Sequence, residues 1–536
     1  MLMVMIEVLL LSILCEGVGF FTLKWMKIEP HGFTGPIGFA VLLAVLQLVY
    51  YPAQLAGLPF TYIAVATSIV LACALIALIL CYKEVFRDLF RWDILIVAVC
   101  VFLFLYALNR NGVSGSYADA QIDLNMICQN IGISRLNFFD PVSGAAGQEG
   151  AAKYLFLGYC HFASYFCWIS RLLLNSTASA AVPAATIAVW GMGMLYSILS
   201  SMLIVNMVRY FRCRNHWYES TLLLFSLLFT NSFYWKVAYA FTGSTWQGFF
   251  ITMMLFAVYR WQKEKNEQIK YLLLFISASA IASSRSSLFL VLEILYMLSA
   301  FLFQRRRIRS LFDLLTFLIP SVLAVCAYLS RINAAWAWVF FLAYMLLGFI
   351  RYKKPVRRII SRTEEFFFDH AVLIFFLIIP AAFAAGSLAW HLWKQDPLTE
   401  YSRYFTDFGN SDMVKDYLFI HSGWLDNILN LLRWTGVVML IWRARQEEDR
   451  FVRSVVILLA VFFLNPLCMI LLEKTAAGAA FYRAFEILFN PFTEILFFTQ
   501  IYQVFAWTPI GQWVLEIILA GASGISLFGI LSGRGL

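Results

Sequence analysis

Two aspartates open the longest polar stretch of this chain, in the segment Ser116-Tyr117-Ala118-Asp119-Ala120-Gln121-Ile122-Asp123. A carboxylate can act as general base toward an acceptor hydroxyl when it lies within hydrogen-bond reach of the proton it takes. With a second acid beside it, it can hold a hard divalent cation through oxygen ligands. Asp119 and Asp123 are therefore the catalytic candidates, and a divalent metal at the pair is the one cofactor they suggest. The competing reading makes them solvated loop acids.

Other residues have types suited to binding. Trp246 and Gln247 follow Thr242-Gly243-Ser244, and an indole face with an amide suits the apolar face and hydroxyls of a sugar. The alternative for Trp246 is an anchor at the membrane interface. Arg285, in Ser283-Ser284-Arg285-Ser286-Ser287, has the guanidinium fork that matches phosphate oxygens, and Arg403 has the same chemistry. Arg483 and Glu486 lie three apart in a late apolar run, either as a structural pair or as ligands of a lipid phosphate. Glu7, Glu16, Glu293 and Arg433, also in apolar runs, read as interhelical polar contacts.

The elements that must position these residues are membrane helices. Of 536 residues, 62% are hydrophobic and 13% charged, whereas soluble domains carry about a quarter charged residues. Runs of about twenty apolar residues match a ~30 Å hydrocarbon core. They fall near 2–23, 36–53, 61–82, 93–108, 181–208, 220–235, 245–260, 271–283, 286–303, 310–329, 334–350, 371–393, 427–442, 454–472, 484–506 and 513–531. The expected fold is an all-α integral membrane protein of about fifteen or sixteen spans, the first one retained rather than cleaved as a signal peptide.

If the spans alternate, seven loops on one side hold 26 of the 40 Lys and Arg, from Lys24 and Lys27 through the run Arg351–Arg362 to Arg443–Arg453. The positive-inside rule makes that side cytoplasmic. The N-terminus and the large loops 109–180 and 394–426 are then extracytoplasmic, in a multi-pass protein of a bacterial-type plasma membrane. The net charge of +9 reads as this topology signal and not as a nucleic-acid surface. Of ten cysteines, Cys128, Cys160 and Cys167 fall in the first large loop, where a Cys128–Cys160 disulfide is open; there is no C-x-x-C pair and no His/Cys grouping at zinc spacing.

The 109–180 insertion is too long for a simple connector. Its first part is turn-rich. Lys153–Leu174 then reads as an amphipathic helix with the aromatic face Tyr154, Phe156, Tyr159, Phe162, Tyr165, Phe166 and Trp168, lying in the interface plane with Lys153, His161 and Arg171 alongside. The second external segment, 394–426, is acidic and aromatic, and the two together are expected to form one extracytoplasmic cap.

An acid just after a span, followed by interfacial helices, resembles the GT-C class of glycosyltransferases, which take sugar from a polyprenyl-phosphate donor. The resemblance implies that Asp119 or Asp123 is the base. The adjacent Asp-Asp or Asp-Glu pair of that class is absent after the fourth span. The chain also resembles an uncharacterised family of bacterial multi-pass membrane proteins through Asp140-Pro141-Val142-Ser143-Gly144, Lys153-Tyr154-Leu155, Thr245-Trp246-Gln247-Gly248, Asn465-Pro466-Leu467 and Tyr482-Arg483-Ala484-Phe485. These segments add Asp140, Lys153 and Tyr482 to the substrate-binding candidates, and His161 joins them from the amphipathic helix.

The resulting division is 1–92 as N-terminal helices, 93–351 as a GT-C-like module, and 352–536 as C-terminal helices. The expected activity is sugar transfer from a polyprenyl-phosphate donor to an extracytoplasmic acceptor, with membrane lipid as a partner and no nucleic acid. The alternatives are a transporter or flippase of a lipid-linked substrate, a surface-glycan polymerase or ligase, and a catalytically inactive scaffold.

Overall fold

The computed structural model describes residues 2–111, 118–132, 158–173, 184–211, 215–230, 243–283, 319–320, 322, 326, 334–350, 353–394, 424–443, 447–462, 487–505 and 508–532. The described residues are almost wholly helical, with no strand. Among the described residues, six helices are long and apolar enough to cross a membrane: α1 (Leu2–Trp25), α2 (Gly35–Leu55), α3 (Phe60–Leu80), α5 (Asp93–Asn111), α8 (Ala184–Phe211) and α18 (Pro509–Ser532). This is an all-α membrane protein. Between and beyond these lie α4 (Tyr82–Leu89), α6 (Ala118–Gly132), α7 (Gly158–Leu173), α9 (His216–Phe225), α10 (Gly243–Glu264) and α11 (Ile269–Ser283). Then come α12 (Ala334–Ile350), α13 (Lys354–Asp369), α14 (Ile379–Lys394), α15 (Trp424–Arg443), α16 (Glu447–Phe462) and α17 (Pro491–Phe505). The spans expected over 286–303 and 310–329 fall outside the described residues except at 319–320, 322 and 326.

The first three helices pack backbone to backbone. A Cβ on Gly38 of α2 would sit 1.7 Å from the Cys15 carbonyl oxygen of α1, and one on Gly19 would sit 2.2 Å from that of Thr34. Such contacts suit helices in lipid, where close van der Waals approach replaces the hydrophobic drive. Glu16 of α1 ties the same pair, its carboxylate accepting the Thr34 backbone N–H and hydroxyl at 2.6 Å each. An apolar environment tolerates this acid because it closes the first turn of α2.

The basic helix ends meet at one end of the bundle. Lys24 pairs with Glu84 at 3.3 Å, Arg209 and Arg91 converge on Asp93, and Arg260 donates to Glu264 and to the Glu29 carbonyl. Asn266 reaches the Lys27 carbonyl, and Asn215 reaches Glu516. Four of the seven expected loops thus share an end, which we term the basic end. Arg110 and Tyr106, contacting the Leu531 carbonyl, mark the far end.

The span expected over 484–506 is interrupted. Helix α17 starts only at Pro491, because Asn490 caps it: its Oδ1 accepts the N–H groups of Phe492 at 3.1 Å and Thr493 at 3.2 Å, while its own N–H donates to the Thr493 hydroxyl. Proline at the first helical position completes a strong start signal.

Candidate functional site

At the far end, α7 lies across the bundle. Its sixteen residues measure about 24 Å, yet its contacts through His161, Tyr165 and Ser170 fall within about 12 Å of the far ends of α1, α2 or α3. Tyr165 bonds Ser68, Ser170 bonds Glu7, and the His161 ring stacks edge-on against Tyr50. The helix was expected to lie in the interface plane as an amphipathic helix with an aromatic face. Instead Tyr159, Phe162, Tyr165 and Phe166 are buried, because α6, α2, α3 and α8 pack around them.

Helix α6 brings the acidic pair to α7. Asp119 lies in its first turn and Asp123 one turn on, so the two occupy neighbouring positions on one face. The Asp123 side chain is buried and accepts a hydrogen bond from the Tyr159 hydroxyl. The Asp119 side chain lies outside the described residues. Two turns beyond Asp123, Asn130 donates its amide to His161 Nδ1 at 3.1 Å and to the Ser164 hydroxyl at 3.2 Å. That leaves Nε2 as the protonated nitrogen of His161, placed 3.2 Å from the Gln54 carbonyl oxygen. Burial pushes this imidazole down to about 4, so it is neutral at physiological pH.

Gly158, the residue before Tyr159, is pressed on Gln47 of α2: a Cβ there would lie 2.1 Å from the Gln47 amide oxygen. Gln47 is itself buried, and its amide nitrogen has no hydrogen-bond partner among the described residues. It faces an apolar groove of about 500 Å³ between α2 and α11. The groove runs from Trp25 and Tyr271 near the basic end, past Ala44 and Leu274, to Gln47 and Tyr51. Four consecutive links (groove, Gln47, Gly158, Tyr159) lead from it to Asp123.

Trp246 is buried in an aromatic cluster, its ring 4.9 Å from Phe39 and 5.5 Å from Tyr196, and Gln247 beside it is buried too. Neither lines the groove. Asp140, Lys153, Arg285, Arg403, Tyr482, Arg483 and Glu486 lie outside the described residues, as does the 394–426 loop beyond Lys394 and before Trp424. The open disulfide is not formed: Cys128 is an exposed thiol on α6 and Cys160 a buried thiol on α7. Among the described residues no three His, Cys, Asp or Glu side chains gather as metal ligands.

Several partners were not legible as a site in the sequence: Tyr159, Asn130, Gln54 and Gln47 are each ordinary polar residues on apolar helices. A second buried cluster had a clearer signal. Arg433 of α15 pairs with Glu494 of α17 at 2.9 Å, Thr230 donates to the same carboxylate at 2.6 Å, and Arg433 also donates to Asn430. Arg433 is the one charge in its apolar run, 427–442, and Glu494 shares 484–506 with Glu486; such charges are costly in a membrane unless they find a partner. Thr230 ends a short π-helical stretch, Ser226–Thr230, a distortion that re-aims the hydroxyl.

No protein-family model matches the chain, and no curated protein and no solved structure matches it either.

Proposed function

We propose that the protein is a GT-C-like membrane glycosyltransferase that moves a sugar from a polyprenyl-phosphate donor to an acceptor on the extracytoplasmic side. One juxtaposition carries the reading: a carboxylate helix at the far end of the bundle stands beside the polar end of a lipid-sized apolar groove. In the proposed reaction the acceptor hydroxyl oxygen bonds to the anomeric carbon as the bond from that carbon to the phosphate oxygen breaks. The hydroxyl proton passes to Asp119, and the polyprenyl phosphate leaves with the electron pair. Asp123, held by Tyr159, orients this face of α6. The apolar chain lies along α2 and α11, with the Gln47 amide available to the phosphate. Guanidinium groups suited to that phosphate are Arg285, Arg403 and Arg483. No step is routed through a divalent ion; Asp119 and Asp123, one turn apart on α6, are the acids that would hold one.

The test is transfer from a synthetic polyprenyl-phosphate sugar by protein in proteoliposomes. Asp119→Asn keeps the size and removes the proton acceptor, so transfer falls ~10²–10⁴-fold with folding intact. A folded Asp119→Asn, Asp123→Asn variant with unimpaired transfer would falsify the catalytic reading. The groove serves a carrier of lipid-linked substrates equally well, and such a result would move that alternative ahead. A polymerase or ligase of surface glycans would share the base but take a glycan as donor.

A further inference from the structure

The basic run that follows α12 does not form a loop. It forms α13, a sixteen-residue helix set between two apolar stretches: α12 ends at Ile350, and the run Ala371–Lys394 begins directly after His370. We propose that α13 is an interfacial helix that docks on anionic phospholipid headgroups in the leaflet at the basic end of the bundle, which the positive-inside rule makes cytoplasmic.

Three observations carry this. First, the helix has two faces. At 3.6 residues per turn, Val356, Ile359, Thr363 and Phe366 fall on one arc, and Lys354, Arg358, Ser361 and Arg362 on the other. Second, the apolar arc faces outward: Ile359 is 65% exposed and Phe366, stacked on His370, is 57% exposed, and among the described residues no helix packs along α13. An exposed apolar arc of this kind on a helix tethered at both ends by apolar helices is placed to sink into the headgroup–acyl boundary.

Third, the charges run against the helix. Residues 353–362 hold five basic side chains and no acid, while Glu364, Glu365 and Asp369 lie in the second half. Cations at a helix N-terminus and anions at its C-terminus oppose the macrodipole. These charges therefore do not serve helix formation, and a surface of negative charge against the first two turns is what offsets them. Anionic headgroups supply it, and they lie where the two flanking apolar stretches hold the helix.

Hydrogen exchange of the α13 backbone in the full-length protein tests the proposal. Exchange is expected to be slower in nanodiscs of phosphatidylcholine with phosphatidylglycerol than in phosphatidylcholine alone, with the difference shrinking at high salt. In K354Q/R358Q/R362Q the anionic-lipid protection should drop by about fivefold for each charge removed. In I359S exchange should rise in both lipids, since that variant removes apolar burial and leaves the charges. Equal exchange in the two lipids would overturn the proposal, and so would unchanged exchange in I359S. Protection in a neutral detergent micelle equal to that in the anionic nanodisc would mean that headgroup charge contributes nothing, which also overturns it.

Discussion

At the scale of single residues, His161 reports on the far-end network. Its Nδ1 accepts from Asn130 and its Nε2 faces the Gln54 carbonyl, so adding a proton sets two donors against each other. Its folded value, about 4, lies below the ordinary 6.5. A depressed folded value means the unfolded chain binds the proton first. The neutral imidazole's contribution is thus complete above pH 6.5 and is lost as pH falls toward 4, amounting to about 3 kcal/mol. Thermal unfolding in detergent should show this decline, and His161→Asn should flatten it; an unchanged slope would remove His161 as its source. The Arg433–Glu494 pair makes a different prediction. Glu494→Gln or Arg433→Met alone leaves a buried charge without its partner and should cost about 3–5 kcal/mol. The double substitution to methionine should recover much of that loss, which a double-mutant cycle on unfolding would read. If the two losses simply add, the pair is not coupled.

At the scale of elements, the α1–α2–α3 unit rests on close backbone approach and therefore has little tolerance for added volume. Gly38→Ala places a methyl group into a main-chain carbonyl, which cannot rotate away as a side chain would, so α2 must shift. We expect a loss of about 1–3 kcal/mol or more and a clear drop in melting temperature. Gly158→Ala meets only the end of the Gln47 side chain and should cost less, although it moves that amide from the groove. A comparable melting temperature for both variants would contradict this ranking. The interruption at Asn490 belongs to the same scale. Asn-Pro with Thr493 following is a readable helix start, but the apolar run on either side of it hides the stop.

At the scale of the whole molecule, the prediction is sidedness. Ala56 is exposed in the α2–α3 turn at the far end, and Glu267 in the α10–α11 turn at the basic end. In a cysteine-free background, Ala56→Cys should react with a membrane-impermeant maleimide on intact cells, and Glu267→Cys only after permeabilisation. Labelling of both from the same side would reject the arrangement. The all-α membrane class was legible in the sequence alone, because the length of apolar runs follows from bilayer thickness, and four of the seven expected Lys and Arg loops share one end. Helix α12 matches its expected run of 334–350, and α1, α2 and α5 fall within a few residues of theirs. Sequence period also marked α7 as amphipathic, because its aromatic spacing is local. It did not place that helix inside the bundle, since an aromatic face reads alike against lipid or against other helices. Only the tertiary structure decided that Asp123 meets Tyr159, that His161 lies between Asn130 and Gln54, and that Gln47 joins a groove to them. The hydrogen-bonded partners stand 31 to 107 residues apart in the chain. Such contacts leave no periodicity in a sequence, because they depend on how separate helices cross and not on the order of residues along any one of them.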